Sequence, residues 1–501
     1  MKVLGLGDNV FDSYDNLGIA YPGGNAVNVA VSASRLGHEA SYLGRVADDL
    51  WGERLLGALR AERVDASACE IVPGGTTKVC HQDRIDGERH FKGVELGEAW
   101  PGAPVPSGSA VEYVCGFDAI LTSCNAKVDD WLPLLDGRRG VLSYDFGEKD
   151  KYRTPENLAK IAPHIDLAQF SMSGIDQAVI DEFLASWQFD CPVLVTRGSL
   201  PPLLSWDGGR VHGVAAAGDA VDTMGAGDSF VTALVTSLVE RGWRRGAALP
   251  EASRLEDALV AAAAHAARMC QVEGAFGHAA RDGEVRAVVF DMDGVIIESE
   301  PLYLAIIDDF LTSRGATKLT EEDRNAMYGC TTQIQNMTIA KHLDETAEEI
   351  APAVTAYFAA RPIDYREALI PGIRELLSWL HEEGIAVGLA SSSSMPEIRQ
   401  MLDECEFGHA FDAVVTGDDF EESKPNPEIY LHTFAELGCQ PGEVVVVEDS
   451  EYGITAGRRA GAEVVALCKT HGNISDRDAT LAFDTHQEIL EYLKRRIGES
   501  K

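Results

Sequence analysis

Two short segments hold residues whose types and spacing point to phosphoryl-group chemistry. In AVDTMGAGDSFVTALVTSL (220–238) a glycine-rich turn runs straight into an amphipathic helix. Gly225 and Gly227 let the backbone approach a phosphate, and the helix start offers unpaired N–H groups at a positive dipole end. Asp228 lies in the same turn, where its carboxylate accepts the proton of an attacking hydroxyl while the amides hold the phosphoryl oxygens. An aspartate at this place also serves as a plain helix cap. In VVFDMDGVIIESE (288–300) a buried apolar strand ends in carboxylates at i and i+2, Asp291 and Asp293. Side chains two apart on a strand point the same way, so both acids face one site at the carboxyl end of a sheet. As pure structure they would be buried like charges, which is costly.

The elements that must position these residues follow from the apolar pattern. VLGLGD (3–8), AILTSC (119–124), GVLSYDF (140–146), CPVLVT (191–196), RAVVFDMD (286–293), IAVGLASS (385–392) and EVVVVEDS (443–450) are continuous apolar runs separated by helix-period segments. That pattern predicts parallel α/β sheets covered on both faces. A chain of 501 residues exceeds one hydrophobic core. The polar stretch GHAARDGEVR (277–286) places a boundary near residue 283, giving domains over 1–282 and 286–490. TKVCHQDRIDGERHFKGV (77–94), with Asp86-Gly87 as a tight turn, reads as a small β-flap. Residues 301–366 are helix-period and read as a helical cap inserted after the first strand of the second sheet.

Composition narrows the partners. With 80 acidic and 43 basic residues the net charge is −37, which repels nucleic acid and anionic membranes. The start, MKVLGLGDNV, has no signal-peptide pattern and no uninterrupted 18-residue apolar run occurs, so a cytoplasmic protein without membrane contact is expected. The 10 cysteines are scattered without CxxC spacing and read as reduced thiols.

The first half resembles the ribokinase-like (PfkB) sugar kinases over roughly residues 1–280, through YPGGNAVNVAVSASRLG (21–37) and DTMGAGD (222–228). The resemblance implies a three-layer domain with a β-flap lid. It also implies that Asp12, Gly24 and Asn28 hold sugar hydroxyls, that Asp228 is the catalytic base, and that Gly225, Ala226 and Gly227 form an anion hole. Thr196 and Gly198 in VTRGSLPP resemble the nucleotide-binding strand end, and ATP is the implied donor. Within the family the likeness is to fructoselysine 6-kinases, through GDNVFDSY, GGNAVNVAV, DTMGAGDSF and VEGAFG. An amine-substituted sugar phosphorylated at a primary hydroxyl is the implied acceptor, and a homodimer through the lid is an implied assembly. The Asn-x-x-Glu segment many members use to organise the divalent ion is absent around AQFSMSGIDQAV (168–179).

The second half resembles the haloacid dehalogenase superfamily, among its phosphatase and β-phosphoglucomutase-like members. LASSSS with Ser391, SKPNPEIY with Lys424 and VVVVEDSEYGITAGRRAG with Glu448 and Asp449 follow the two aspartates in order. The resemblance implies a Rossmannoid domain in which Asp291 attacks phosphorus, Asp293 protonates the leaving oxygen, Ser391 donates to a phosphoryl oxygen and Lys424 offsets negative charge. Mg2+ would sit among Asp291, the backbone carbonyl of Asp293 and Asp449, with Glu448 nearby or as an alternative ligand. Any of the four serines could be the donor, and one is expected to cap the following helix. In YGCTTQIQ (328–335), Thr332 stands where mutases tend to carry an arginine for a second phosphate, which favours a phosphatase. The expectation is a bifunctional enzyme acting on small sugars and sugar phosphates. Its alternatives are a C-terminal phosphomutase, or a kinase half that only senses sugar.

Overall fold

The computed structural model describes residues 1–85, 88–215, 220–281, 283–298, 300–327, 332–361, 364–468 and 479–498. The chain packs as two compact units, Met1–Asp282 and Gly283–Lys501.

Among the described residues the first unit holds an eight-stranded sheet. Its order is Gly209–His212, Leu200–Trp206, Val193–Arg197, Leu167–Ser171, Val141–Asp145, Ala119–Ser123, Lys2–Leu6 and Glu39–Leu43. From Val193–Arg197 onward all neighbours are parallel. Successive strand residues fall into opposite cores, Val3 with one and Leu4 with the other, so apolar layers cover both faces. The helices Asn25–Arg35, Ala226–Glu240 and Ala252–Met269 pack in the core on one face. A Cβ on Gly5 would lie 1.9 Å from the carbonyl oxygen of Ala26, so the missing side chain lets the helix Asn25–Arg35 press onto the central strand.

A second sheet orders Ile19–Gly23, Val10–Tyr14, Val79–Ile85 and Glu88–Glu95. The flap expected from residues 77–94 is therefore larger: Val10–Tyr14 pairs alongside it, with Asp12 opposite Cys80. Asp12 thus stands on a strand. The turn residues Asp86 and Gly87 lie outside the described residues.

The second unit has a six-stranded parallel sheet in the order Ala413–Thr416, Ala386–Ser391, Ala287–Phe290, Val444–Glu448, Glu463–Leu467 and Leu481–Phe483. Ala287–Phe290 is central, flanked by the strands that end in Ser391 and Glu448. The cap region is helical, with Glu300–Ser313, Glu321–Met327, Thr332–Lys341 and Ala347–Ala359 gathered on a core that includes Leu304, Phe310, Ile339 and Ile350. The side chain of Thr332 lies outside the described residues, as do Tyr328–Thr331.

The close approach at Gly5 generates a test. Gly5→Ala forces helix and strand apart and lowers stability by about 1–3 kcal/mol, read as a lower urea midpoint of the unit. Gly108→Ala, where a Cβ meets nothing, leaves the midpoint at or above that of the wild type.

Candidate active sites

In the first unit the catalytic candidates come from the amino ends of two neighbouring helices. Gly225 adopts φ 69° and caps the helix Ala226–Glu240, a left-handed conformation glycine takes without strain. Asp228 lies in the first turn, and among the described residues no backbone N–H donates to its carboxylate. Its carboxylate instead accepts from Asn25 Nδ2 at 2.5 Å and Asn28 Nδ2 at 2.8 Å, both in the first turn of Asn25–Arg35. Gly24, with φ 106°, caps that second helix.

Burial pushes the Asp228 carboxyl up to about 8; the neighbouring Asp145 and Asp8 add to the rise, and Asn28 and Asn25 oppose it. Asp145 and Asp12 are each raised to about 6, chiefly by burial. The amide donors cannot ionise, so they orient the carboxylate without supplying a full counter-charge.

Two cavities meet at the 225–228 turn. One, of 730 Å³, is lined by Asp12, Gly24, Asn25, Asn28, Asp145, Gly225 and Asp228. The other, of 460 Å³, is lined by Ser171, Thr196, Gly198, Ala226, Gly227 and Phe230. The residues expected to hold a sugar and those expected to hold a nucleotide are thus divided between two chambers with Asp228 at their joint. Among the described residues the N–H groups of Gly227 and Asp228 have no protein partner, while that of Ala226 closes a turn onto the Thr223 carbonyl at 3.3 Å. Asn28 Oδ1 is buried and unpartnered, an acceptor suited to a substrate hydroxyl.

Sequence reasoning missed Asn25, Asp8 and Asp145. For Asn25 the signal was present, because Asn25 and Asn28 are three apart and share a helix face. Around 168–179 the structure places Gln169 in the core with its Oε1 unpartnered, and Ser171 and Ser173 on the second cavity.

In the second unit Asp291 follows the central strand, its N–H bonded to the Val447 carbonyl, and is 9% exposed. Lys424 Nζ lies 2.5 Å from Asp291 Oδ1, 2.8 Å from Glu448 Oε1 and 3.0 Å from the Ala390 carbonyl. Burial disfavours the charged lysine, but Asp291 and Glu448 outweigh it and hold its pKa well above the ordinary value. Burial raises the Asp291 carboxyl, against the pull of Lys424.

Oxygens of Asp291, Glu448 and Asp449 lie within 4.8 Å of one another, a carboxylate cluster of the hard-oxygen type that suits a divalent cation. Glu448 is fully buried, and its oxygens already accept from Lys424, Tyr430 Oη, the amides of Asp449 and Ser450, and Ser450 Oγ. Its lone pairs are therefore largely committed to holding Lys424.

Three of the four serines divide the work. Ser391 Oγ, at the strand end, accepts the Ser393 N–H at 3.0 Å and keeps its own proton to donate. Ser393 Oγ donates to Asp293 Oδ2 at 2.8 Å, and Ser394 forms a capping box with Glu397. Ser393 and Tyr430 are contacts the sequence did not single out.

Residues 20–92 and 170–279 match the pfkB family of carbohydrate kinases, and residues 288–467 match the haloacid dehalogenase-like hydrolases. Fructosamine kinase FrlD of Bacillus subtilis is 32% identical over 281 residues, which are 56% of this chain and 94% of that protein. Fructoselysine 6-kinase of Shigella flexneri is 30% identical over 283 residues, 55% of this chain and all 100% of that one. A phosphorylated carbohydrates phosphatase of Thermotoga maritima is 32% identical over 215 residues, 42% of this chain and 99% of that protein.

The chain belongs to both families. It joins a ribokinase-like carbohydrate kinase, similar to fructosamine kinases, to a haloacid dehalogenase-like hydrolase, similar to sugar-phosphate phosphatases. No helix of the described residues is long and apolar enough to cross a membrane.

Two outcomes follow from this geometry. A base must be deprotonated to work, so if Asp228 serves as one, its carboxyl near 8 makes the kinase kcat/KM rise with pH through about 8 and level above it, as a pH–rate profile reads. In the hydrolase unit a Cβ on Gly453 would sit 1.7 Å from Glu448 Oε1. Gly453→Ala therefore dislodges Glu448 and with it Lys424, lowering hydrolase kcat about 10–100-fold while kinase turnover of the same preparation is unchanged.

Proposed function

We propose that the chain is a bifunctional sugar-phosphate enzyme. The first unit phosphorylates a hydroxyl of a fructosamine-like sugar with ATP, and the second hydrolyses a sugar phosphate through an aspartyl-phosphate. The observation that carries the first half is Asp228, held by two asparagines at the joint of two chambers. An acceptor hydroxyl in the larger chamber gives its proton to Asp228 as its oxygen bonds the γ-phosphorus. The bond to the bridging oxygen breaks and ADP leaves, with the free amides of the turn facing the charge that builds. The kinase relatives, by their names, act on fructosamines and fructoselysine, which supports that acceptor class.

The second half rests on the Asp291–Lys424–Glu448 contacts. A carboxylate oxygen of Asp291 bonds phosphorus, and the sugar oxygen leaves with the proton of Asp293. Water then attacks the aspartyl-phosphate and returns a proton to Asp293, restoring both acids. Ser393 on Oδ2 fixes the orientation of Asp293. Mg2+, when bound by Asp291, Asp449 and the Asp293 carbonyl, supplies positive charge facing the phosphate. The relatives named as phosphorylated carbohydrates phosphatase and hexitol phosphatase B favour hydrolysis over a mutase reaction.

A phosphate balance on the purified chain with ATP, Mg2+ and fructoselysine, for wild type, Asp228→Asn and Asp291→Asn, tests the reading. ADP formation is expected to fall about a thousandfold only in Asp228→Asn. Release of phosphate from sugar phosphates is expected to vanish only in Asp291→Asn. Binding of sugar and nucleotide with no ADP from any acceptor would make the first unit a sensor, and transfer between positions of one sugar would make the second a mutase.

A further inference from the structure

Residues 1–282 contain few lysines: Lys2, Lys78, Lys92, Lys127, Lys149, Lys151 and Lys160. Three lie away from the chambers and each has a carboxylate partner, Lys2 with Glu39 at 3.5 Å, Lys92 with Asp15 at 2.9 Å and Lys160 with Asp129 at 2.7 Å. The remaining Lys78, Lys127, Lys149 and Lys151 all line the 730 Å³ acceptor chamber. Among the described residues none of these four has a carboxylate at ion-pair distance.

In a chain of net charge −37 that division is against the odds of the surroundings, since acidic side chains abound on its surface. Lys127 and Lys151 are the more defined of the four. Their ammonium groups each sit 4.8 Å from the centre of the Tyr152 ring, and Lys127 Nζ donates to Tyr152 Oη at 3.2 Å. Lys127 holds a left-handed backbone, φ 56°, which a side chain with a Cβ adopts at a cost of ~1 kcal/mol. Strain of this kind persists where the surroundings over-determine the residue, and it clusters at binding sites.

The chamber is polarised. Asp8 is buried and Asp228 half-buried, while Lys127, Lys149 and Lys151 are exposed. An acceptor whose reacting hydroxyl meets Asp228 therefore turns its far end toward the lysines. The nucleotide chamber contains none of these lysines.

We propose that Lys127 and Lys151, spaced by Tyr152, form an anion subsite for the end of the acceptor remote from the transferred phosphoryl group. The preferred acceptor is then an anionic sugar derivative. A carboxylate on the amine substituent of a fructosamine and a phosphate on a sugar share this chemistry. The assignment rests on the acceptor-side reading of the larger chamber.

The test compares three acceptors, fructosylglycine, its methylamine counterpart lacking the carboxylate, and a fructose monophosphate, in wild type and in the double variant Lys127→Gln/Lys151→Gln. Wild type is expected to favour at least one acceptor carrying an anionic group over the methylamine counterpart, which is a cation at neutral pH, by about tenfold in KM, and the variant to bring that ratio toward one. Whichever anionic acceptor carries the preference identifies the source of the charge. Lys160→Gln, outside the chamber, is expected to keep the wild-type ratio. A wild-type ratio near one for both anionic acceptors overturns the subsite. So does a variant in which kcat falls equally for every acceptor or the KM for ATP rises, since the lysines would then serve the transferring phosphoryl group. Calorimetric binding of the same acceptors without ATP reads the subsite where no turnover occurs, which separates its failure from failure of the kinase reading.

Discussion

Each unit holds a carboxylate largely out of water, Asp228 in the first turn of a helix and Asp291 just past a strand, and the way its charge is compensated bears on what that carboxylate can do. Burying an anion without compensation is prohibitive, so the group either takes a proton or acquires a partner. Asp228 is met by two neutral amide groups, and its pKa stays near 8. That suits the proton acceptor proposed for it. Asp291 is met by the full charge of Lys424 at 2.5 Å, which opposes the rise that burial and the neighbouring Glu448 and Asp449 impose on its carboxyl. One problem is met in two ways, by neutral amides in one unit and by a lysine in the other.

Both solutions depend on close backbone packing. The asparagines reach Asp228 only because the helix that carries them lies against a strand at Gly5. Lys424 is aimed by Glu448, and Glu448 fits because Gly453 leaves room for its carboxylate. A lysine between two carboxylates is held more firmly than in a simple pair, and Tyr430, bonded to Glu448 and facing the ammonium, closes the group.

Much of this was legible in the chain and some was not, for identifiable reasons. The 225–228 turn was readable because glycine content is a local property, whereas the Asp291-x-Asp293 pair was read by strand period although the strand ends at Phe290 and both acids stand just past it. The division of the serines was not, since Ser391, Ser393 and Ser394 are chemically alike and only their places after the strand end separate donor, orienting contact and cap. Asp12 was read from its motif, but its strand was not foreseen: Val10–Tyr14 is short and joins the flap through pairing with residues nearly 70 positions on, Phe11 with Val79. The lysines without a carboxylate partner were equally invisible, because such a lysine differs from an ion-paired one only in what surrounds it.

A kinase and a phosphatase on one chain oppose each other if the product of one is the substrate of the other. The electrostatics bear on this. At a net charge of −37 the surface as a whole repels a released sugar phosphate, so each site must attract its anion by local groups alone. Those groups differ in kind: open helix amides and unpaired lysines in one unit, a single lysine locked between two acids in the other. A site lined by free lysines gains from an anion at a distance from the reacting atom, whereas Lys424 faces the nucleophile itself. On the proposed reading the two sites select on different parts of a substrate, which favours distinct substrates for the two heads.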